Sequence, residues 1–156
     1  MKICLACTPS GHLGDMLQLM EAFEGHEIFF LTWENSMSQH LKYRKYMLKN
    51  PINGPRFRLA WLSIWGLMAF PFFFHILLKE KPQIIVSTGA GEVVVPVFYM
   101  AKLLGIKTIF IESWSCVDTP SIGGKFVYPV SDVFLVQWEE MLKQYGKKAK
   151  YEGAII

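Results

Sequence analysis

Lys2-Ile3-Cys4-Leu5-Ala6-Cys7 opens the chain as an apolar run of strand length. Thr8-Pro9-Ser10-Gly11-His12 follows as a loop, and Leu13, Met16, Leu17, Met20 and Phe23 then recur at helical spacing. Glu27-Ile28-Phe29-Phe30-Leu31-Thr32 is a second strand-length run. Continuously apolar short runs read as strands covered on both faces, which is the habit of parallel sheets. The alternation continues outward. Residues 34–49 are polar and basic and read as a short helix before a weak strand, and Asn50-Pro51-Ile52-Asn53-Gly54-Pro55 is a break. A long apolar helix covers about 57–80, Gln83-Ile84-Ile85-Val86-Ser87 is a strand, 88–92 a loop and 93–104 a helix. Strands follow at 106–111 and 132–136, separated by a loop that runs to about 121, and 139–145 is a last helix. This order predicts one α/β domain over 1–156, a Rossmann-like parallel sheet with helices on both faces and right-handed crossovers.

The 156 residues are 52% hydrophobic, 15% aromatic and 19% charged. That composition excludes a disordered chain, and the length excludes a large multidomain enzyme. A net charge of +3 is weak support for an anionic partner and does not describe a nucleic-acid-binding tail. Mean hydropathy is +0.26, and five Trp and twelve Phe are a heavy load for this size, so a membrane contact or a large partner surface is expected. Three Cys do not suit a secreted disulfide framework. Cys4 and Cys7 match C-x-x-C, but an offset of three along a strand sends the two side chains to opposite faces. Without partner ligands they read as buried strand residues rather than a redox or metal site. One Lys ahead of a strand-length run is not a signal peptide, and the compartment is read as cytosolic.

Ligands of such sheets bind beyond the carboxyl ends of the strands, where three loops fall: 8–14, 88–92 and 112–121. In the first, Gly11 permits a tight turn, and free N–H groups at the helix start suit a phosphate. The loop is neither G-x-G-x-x-G nor a Walker A sequence. His12 is open between a general base, a phosphate contact and a helix cap. In the second, Ser87-Thr88-Gly89-Ala90-Gly91-Glu92 is open between a phosphate-holding nest and a plain tight connection, with Pro96 in or near the first turn of the next helix. In the third, Glu112 directly follows an apolar strand and is open between a base or hydroxyl ligand and a cap on the loop amides. Lys125 is open between a phosphate contact and solvent.

Residues 59–78 carry no formal charge, with Arg56 and Arg58 on one side and Lys79 and Lys81 on the other. The length suits a spanning helix, but spanning breaks the α/β order, and Pro71 kinks the segment. The preferred reading is monotopic, one face on the sheet and a Trp/Phe-rich face in the membrane interface. Arg56, Arg58, Trp61, Trp65, Phe72, Phe73 and Lys79 are the expected contacts. Spanning, or burial against a partner, is the alternative.

Ser10-Gly11-His12-Leu13-Gly14-Asp15-Met16-Leu17, Ser87-Thr88-Gly89-Ala90-Gly91 with Pro96, Ile111-Glu112-Ser113, Pro120-Ser121 with Gly124-Lys125, Asp132, Val136-Gln137-Trp138-Glu139 and Tyr151-Glu152-Gly153 occur in one order. Together they resemble the family of the membrane-recruiting subunit of the two-part UDP-GlcNAc transferase of asparagine-linked glycosylation, with its bacterial exopolysaccharide and capsule homologues. That family is similar to the N-terminal, acceptor half of GT-B glycosyltransferases. The resemblance implies a subunit inactive alone, which binds a polyprenyl-diphosphate-linked sugar at the cytoplasmic face of the membrane. A partner subunit then carries the UDP-sugar site. His12 and Glu112 match the family's catalytic candidates. Ser10, Gly11, Gly14, Thr88, Gly89, Ala90 and Gly91 match its acceptor-diphosphate loops. No metal, cofactor or nucleic acid is implied. One departure stands out: Ser10 replaces the first of two glycines, which restricts that backbone. Because the chain opens at its first strand, anchoring is expected to fall on 57–80. The competing readings are a non-catalytic membrane adaptor and a complete small nucleotide-binding Rossmann enzyme, the latter lacking its fingerprint.

Overall fold

The structure, a computed structural model, describes residues 1–49, 58–89 and 91–155, and for residues 58–68 the backbone alone. The strands among these are β1 (Lys2–Ala6), β2 (Glu27–Glu34), β3 (Lys45–Lys49), β4 (Ile84–Ser87), β5 (Lys107–Ile111), β6 (Val133–Val136) and β7 (Ala149–Tyr151). They form one sheet in the order β3-β2-β1-β4-β5-β6-β7, and every pairing is parallel. The helices are α1 (Gly11–Gln18), α2 (Ser36–Gln39), α3 (Arg58–Glu80), α4 (Gly91–Leu104), α5 (Ile122–Val127) and α6 (Leu142–Tyr145), with 3₁₀ turns at Met20–Phe23 and Glu139–Met141. The chain runs outward from β1 to β3, then crosses back to lay β4 on the other side of β1. The loops after β1 and β4 therefore leave neighbouring strands, at the point where strand order reverses and such sheets open a crevice.

Two apolar layers sandwich the sheet. On one face Cys4, Ala6, Phe29 and Leu31 meet Phe73 and Leu77 of α3 and Val94 and Phe98 of α4. On the other, Ile3, Leu5, Cys7 and Phe30 meet Leu13 and Met16 of α1. Cys4 and Cys7 fall in opposite layers, as a strand offset of three requires. Burial holds the Cys4 thiol well above its ordinary value and pushes Cys7 up to about 12, so neither is a reactive thiolate. Phe29, Phe30, Phe73, Phe98, Phe110 and Phe134 are fully buried, which moves half of the twelve Phe from the suspected membrane surface into the core. Each such ring contributes about 1.5–3 kcal/mol by leaving water.

The structure corrects several expectations. Phe73 is not a membrane contact: it is 0% exposed and packs against Trp33 of β2 on the face of the sheet that α3 covers. Phe72 is half-buried, and Lys79 is exposed with its ammonium over the Tyr46 ring. The side chains of Arg56, Arg58, Trp61 and Trp65 lie outside the described residues. Among the described residues no helix is long and apolar enough to cross a membrane. The helix expected over 13–24 is shorter, because Leu19 leaves helical geometry at φ −88°, ψ 2° and a 3₁₀ turn follows. Pro96 is the sixth residue of α4, near its start as expected. Neither α5 nor β7 was legible. Gly123 and Gly124 disfavour a helix locally, and β7 is a three-residue edge strand.

At the amino end of the sheet, Glu80 fastens α3. It is buried and accepts hydrogen bonds from the Tyr46 hydroxyl, Arg44 Nη2 at 2.6 Å and Lys2 Nζ at 3.3 Å. The Tyr46 hydrogen bond, aided by the two cations, holds its carboxyl below the ordinary 4.5. A depressed folded-state value means that this stability is present in full above pH 4.5 and is lost as pH falls through the folded value. Thermal melts between neutral and acid pH should show that loss, and Glu80→Gln should flatten it. An unchanged acid limb in Glu80→Gln would remove Glu80 as its source.

Candidate functional site

His12 is the second residue of α1 and stands half-buried where the strand order reverses. Its Nδ1 lies 3.0 Å from the Thr88 carbonyl oxygen. A carbonyl only accepts, so Nδ1 carries a proton, and in the neutral ring Nε2 keeps a free lone pair. In return the Thr88 hydroxyl donates to the His12 carbonyl oxygen at 2.6 Å. This reciprocal pair ties the loop after β1 to the loop after β4, 76 residues apart in sequence. Asn35, beyond the end of β2, donates from Nδ2 to the Pro9 carbonyl at 2.8 Å and steadies the first loop from its other side. The only local signal of Asn35 in the sequence is the capping box it forms with Ser38, which does not point to the first loop.

Gly89 is required by His12. Its φ is +122°, and a Cβ there would lie 2.8 Å from both Cε1 and Nδ1 of the imidazole. Gly89→Ala therefore combines backbone strain with displacement of the ring. It should cost about 1–3 kcal/mol of stability, measurable by denaturant unfolding. A wild-type midpoint would show that the ring has room elsewhere.

The other loop residues are placed as follows. Thr88 is buried, and its hydroxyl is engaged by His12 rather than facing outward. Ser10 and Gly11 are exposed; the Ser10 hydroxyl is 3.0 Å from that of Thr8 and caps no amide of α1. Gly11 and Gly14 have open space where a side chain would stand, so no contact within the chain demands glycine there. A Cβ on Gly91 would meet the Gly123 Cα at 3.3 Å, which brings the start of α5 against the start of α4. Ala90 lies outside the described residues.

Glu112 does not stand as a base facing the crevice. It is 1% exposed, and both carboxylate oxygens are occupied. The Ser113 amide donates to Oε1 at 3.0 Å; the Ser121 amide at 3.3 Å, the Ser121 hydroxyl at 3.1 Å and the Tyr145 hydroxyl donate to Oε2. Burial and this carboxylate push the Tyr145 phenol far above its ordinary value, so it stays a donor. Gln137 donates to the Glu112 carbonyl at 2.8 Å and accepts from the Ile155 amide at 2.8 Å. Capping the loop, the other role open to Glu112 from sequence, is the one its surroundings serve. Lys125 is exposed on α5.

A family model described as oligosaccharide biosynthesis protein Alg14 like matches residues 4–155. The UDP-N-acetylglucosamine transferase subunit ALG14 of Candida albicans is 30% identical over 94% of this chain and 74% of its own length. Its Homo sapiens counterpart is 34% identical over 73% of this chain and 56% of its own. Among solved structures, Acinetobacter baumannii MurG superposes with a TM-score of 0.74 at 13% identity, over 96% of this chain and 45% of MurG. A UDP-GlcNAc 2-epimerase from Neisseria meningitidis gives a TM-score of 0.71 at 13% identity, over 99% of this chain and 47% of the epimerase. The chain thus spans less than half of each of these two structures, and at such identity the likeness is one of fold.

Proposed function

The chain belongs to the Alg14-like family of oligosaccharide biosynthesis proteins, and from that premise we propose that it is the acceptor-binding subunit of a two-part glycosyltransferase. It associates with the cytoplasmic face of the membrane and binds a polyprenyl-diphosphate-linked sugar. A partner subunit brings the UDP-sugar, of the UDP-GlcNAc type that the names of the relatives carry. The observation that carries this is the His12–Thr88 pair joining two glycine-bearing loops at the switch point of a sheet shaped like half of a larger enzyme.

The diphosphate is held at the Ser10–Gly11 and Gly89–Gly91 loops by backbone amides at the starts of α1 and α4, while the amides of Ser10 and Gly89 themselves donate to the Thr8 carbonyl at 2.9 Å and the Ser87 hydroxyl at 3.2 Å. There unpaired N–H groups and the helix dipoles favour anions. Gly14, one turn into α1, leaves room for the same group. The Nε2 lone pair of His12 takes the proton of the acceptor hydroxyl as its oxygen attacks the anomeric carbon of the donor. The bond from that carbon to the nucleotide diphosphate breaks, and the leaving group remains with the partner. Glu112 acts at one remove, by fixing the loop after β5. Arg56, Arg58, Trp61, Trp65 and Lys79 remain the proposed membrane contacts, with Phe72 at their margin.

The test expresses this chain, the partner and both together in membranes, offered a panel of UDP-sugars and a polyprenyl-diphosphate-linked sugar. Transfer only with both supports the split enzyme and names the donor. Transfer by this chain alone overturns it. Transfer by the partner alone, or by no combination, shifts the reading to a membrane adaptor.

A further inference from the structure

The geometry points to Asp15 as the residue that binds a hydroxyl of the acceptor sugar beside His12. This rests on the reading of the chain as an acceptor-binding subunit, and it adds a residue and a ligand group to that site. Asp15 lies one helical turn after His12 on α1, a spacing that sets the two side chains on neighbouring ground. It is 6% exposed. No hydrogen bond or ion pair reaches its carboxylate among the described residues. Among the described residues the partnerless side-chain atoms sealed from solvent are His26 Nδ1 and Thr32 Oγ1, so the Asp15 oxygens keep some contact with solvent. The carboxylate therefore sits in the protein with an opening and without a partner.

A fold does not keep such a group at no cost, because a desolvated carboxylate lacking donors is unfavourable. Burial pushes the Asp15 carboxyl up, and His12 draws it part of the way back; its charge also raises the thiol of Cys7, just past the end of β1. Asp15 thus lies within electrostatic reach of both Cys7, just past the end of β1, and the imidazole. The chemistry that completes it is a donor. A diphosphate has no proton to give and is repelled by the carboxylate. A sugar hydroxyl is neutral and donates, and in a sugar-diphosphate lipid it arrives directly beyond the phosphates. A charge-assisted bond of this kind discriminates well, since losing it leaves the carboxylate unpaired again.

The test uses the full chain and its Asp15→Asn variant, with two probes: a short-chain polyprenyl diphosphate, and the same lipid bearing N-acetylglucosamine. Asparagine keeps the shape and removes the charge. With the folded-state value raised, ionised Asp15 subtracts from stability at neutral pH, so Asp15→Asn should melt no lower than wild type without ligand. It should bind the sugar-bearing probe about 10- to 100-fold more weakly and the sugar-free probe no more weakly than wild type. Equal affinity of wild type and variant for the sugar-bearing probe would overturn the assignment. So would a lower melting temperature, which marks a structural role. Equal binding of both probes by wild type would overturn it while leaving the diphosphate site standing. Binding of neither probe by wild type would overturn the acceptor reading itself, and this inference with it. Asp15→Ala, which also removes the acceptor atoms, should repeat the loss on the sugar-bearing probe.

Discussion

His12→Asn is expected to lower sugar transfer by the reconstituted two-subunit enzyme about 10²- to 10⁴-fold, the range a positioned general base contributes. The choice of asparagine matters. Its side-chain amide can still donate to the Thr88 carbonyl, so the tie now made by Nδ1 at 3.0 Å can survive. The Nε2 lone pair is gone. His12→Ala removes both, and a Cβ-only side chain also vacates the space against Gly89. The two variants should therefore lose similar activity, while His12→Ala alone loses thermal stability. The measurement is initial transfer rate at saturating donor and acceptor, beside a melt of each chain. Near-wild-type turnover in His12→Asn would show that the acceptor proton leaves by another route. It would leave His12 as the strut its Thr88 contacts already describe.

The second large effect is on folding. Gly124→Ala should destabilise the chain by about 3 kcal/mol or more, because it overpacks a closed polar cluster that cannot yield. A Cβ at this position collides with the Tyr145 hydroxyl and Glu112 Oε2 and stands 2.9 Å from the Ser121 hydroxyl. The Ser121 and Tyr145 hydroxyls both donate to Glu112 Oε2, and the Ser121 hydroxyl also accepts from the Gly124 amide at 2.8 Å. Moving any of them leaves a buried donor or acceptor unpaired, which is the more damaging half of the change. Denaturant unfolding measures the loss. Gly123 makes a useful contrast, since it packs on Gly91 from the same helix and has no part in the cluster around Glu112. If Gly124→Ala unfolds at the wild-type midpoint, Glu112 and Tyr145 are free to separate, and the cluster is not what fixes α5.

The lesson of Glu112 runs through the whole site. A carboxylate directly after an apolar strand has two roles that look alike in one dimension, a reactive group at the crevice and a cap turned inward. The partners of its Oε2, Ser121 and Tyr145, come from 9 and 33 residues away, so nothing nearby in sequence reveals the inward cap. Asp15 is the converse. It stands in a quoted motif without a role until burial and the absence of a partner expose its position. Phe73 shows the same limit on a helix apolar all round: periodicity is silent about which ring meets the sheet, and packing against Trp33 answers it. The hidden helix α5 held two glycines that argue against helix locally, overruled by the Ser121 cap and the contacts of Gly123 and Gly124.

By itself, the sequence determined the alternation of strand and helix, the opposite faces of Cys4 and Cys7, the loops at strand ends and the family resemblance. Each is written in local periodicity, in glycine and proline punctuation or in motif order, all of which survive reading along one dimension. Only the tertiary structure decided that β1 and β4 are neighbours, that His12 is held by Thr88, that Glu112 is sealed and that Asp15 is left unpaired. Those depend on parallel crossovers that bring residues 76 apart into hydrogen-bond range, and on desolvation, which exists only once the two apolar layers have closed on the sheet.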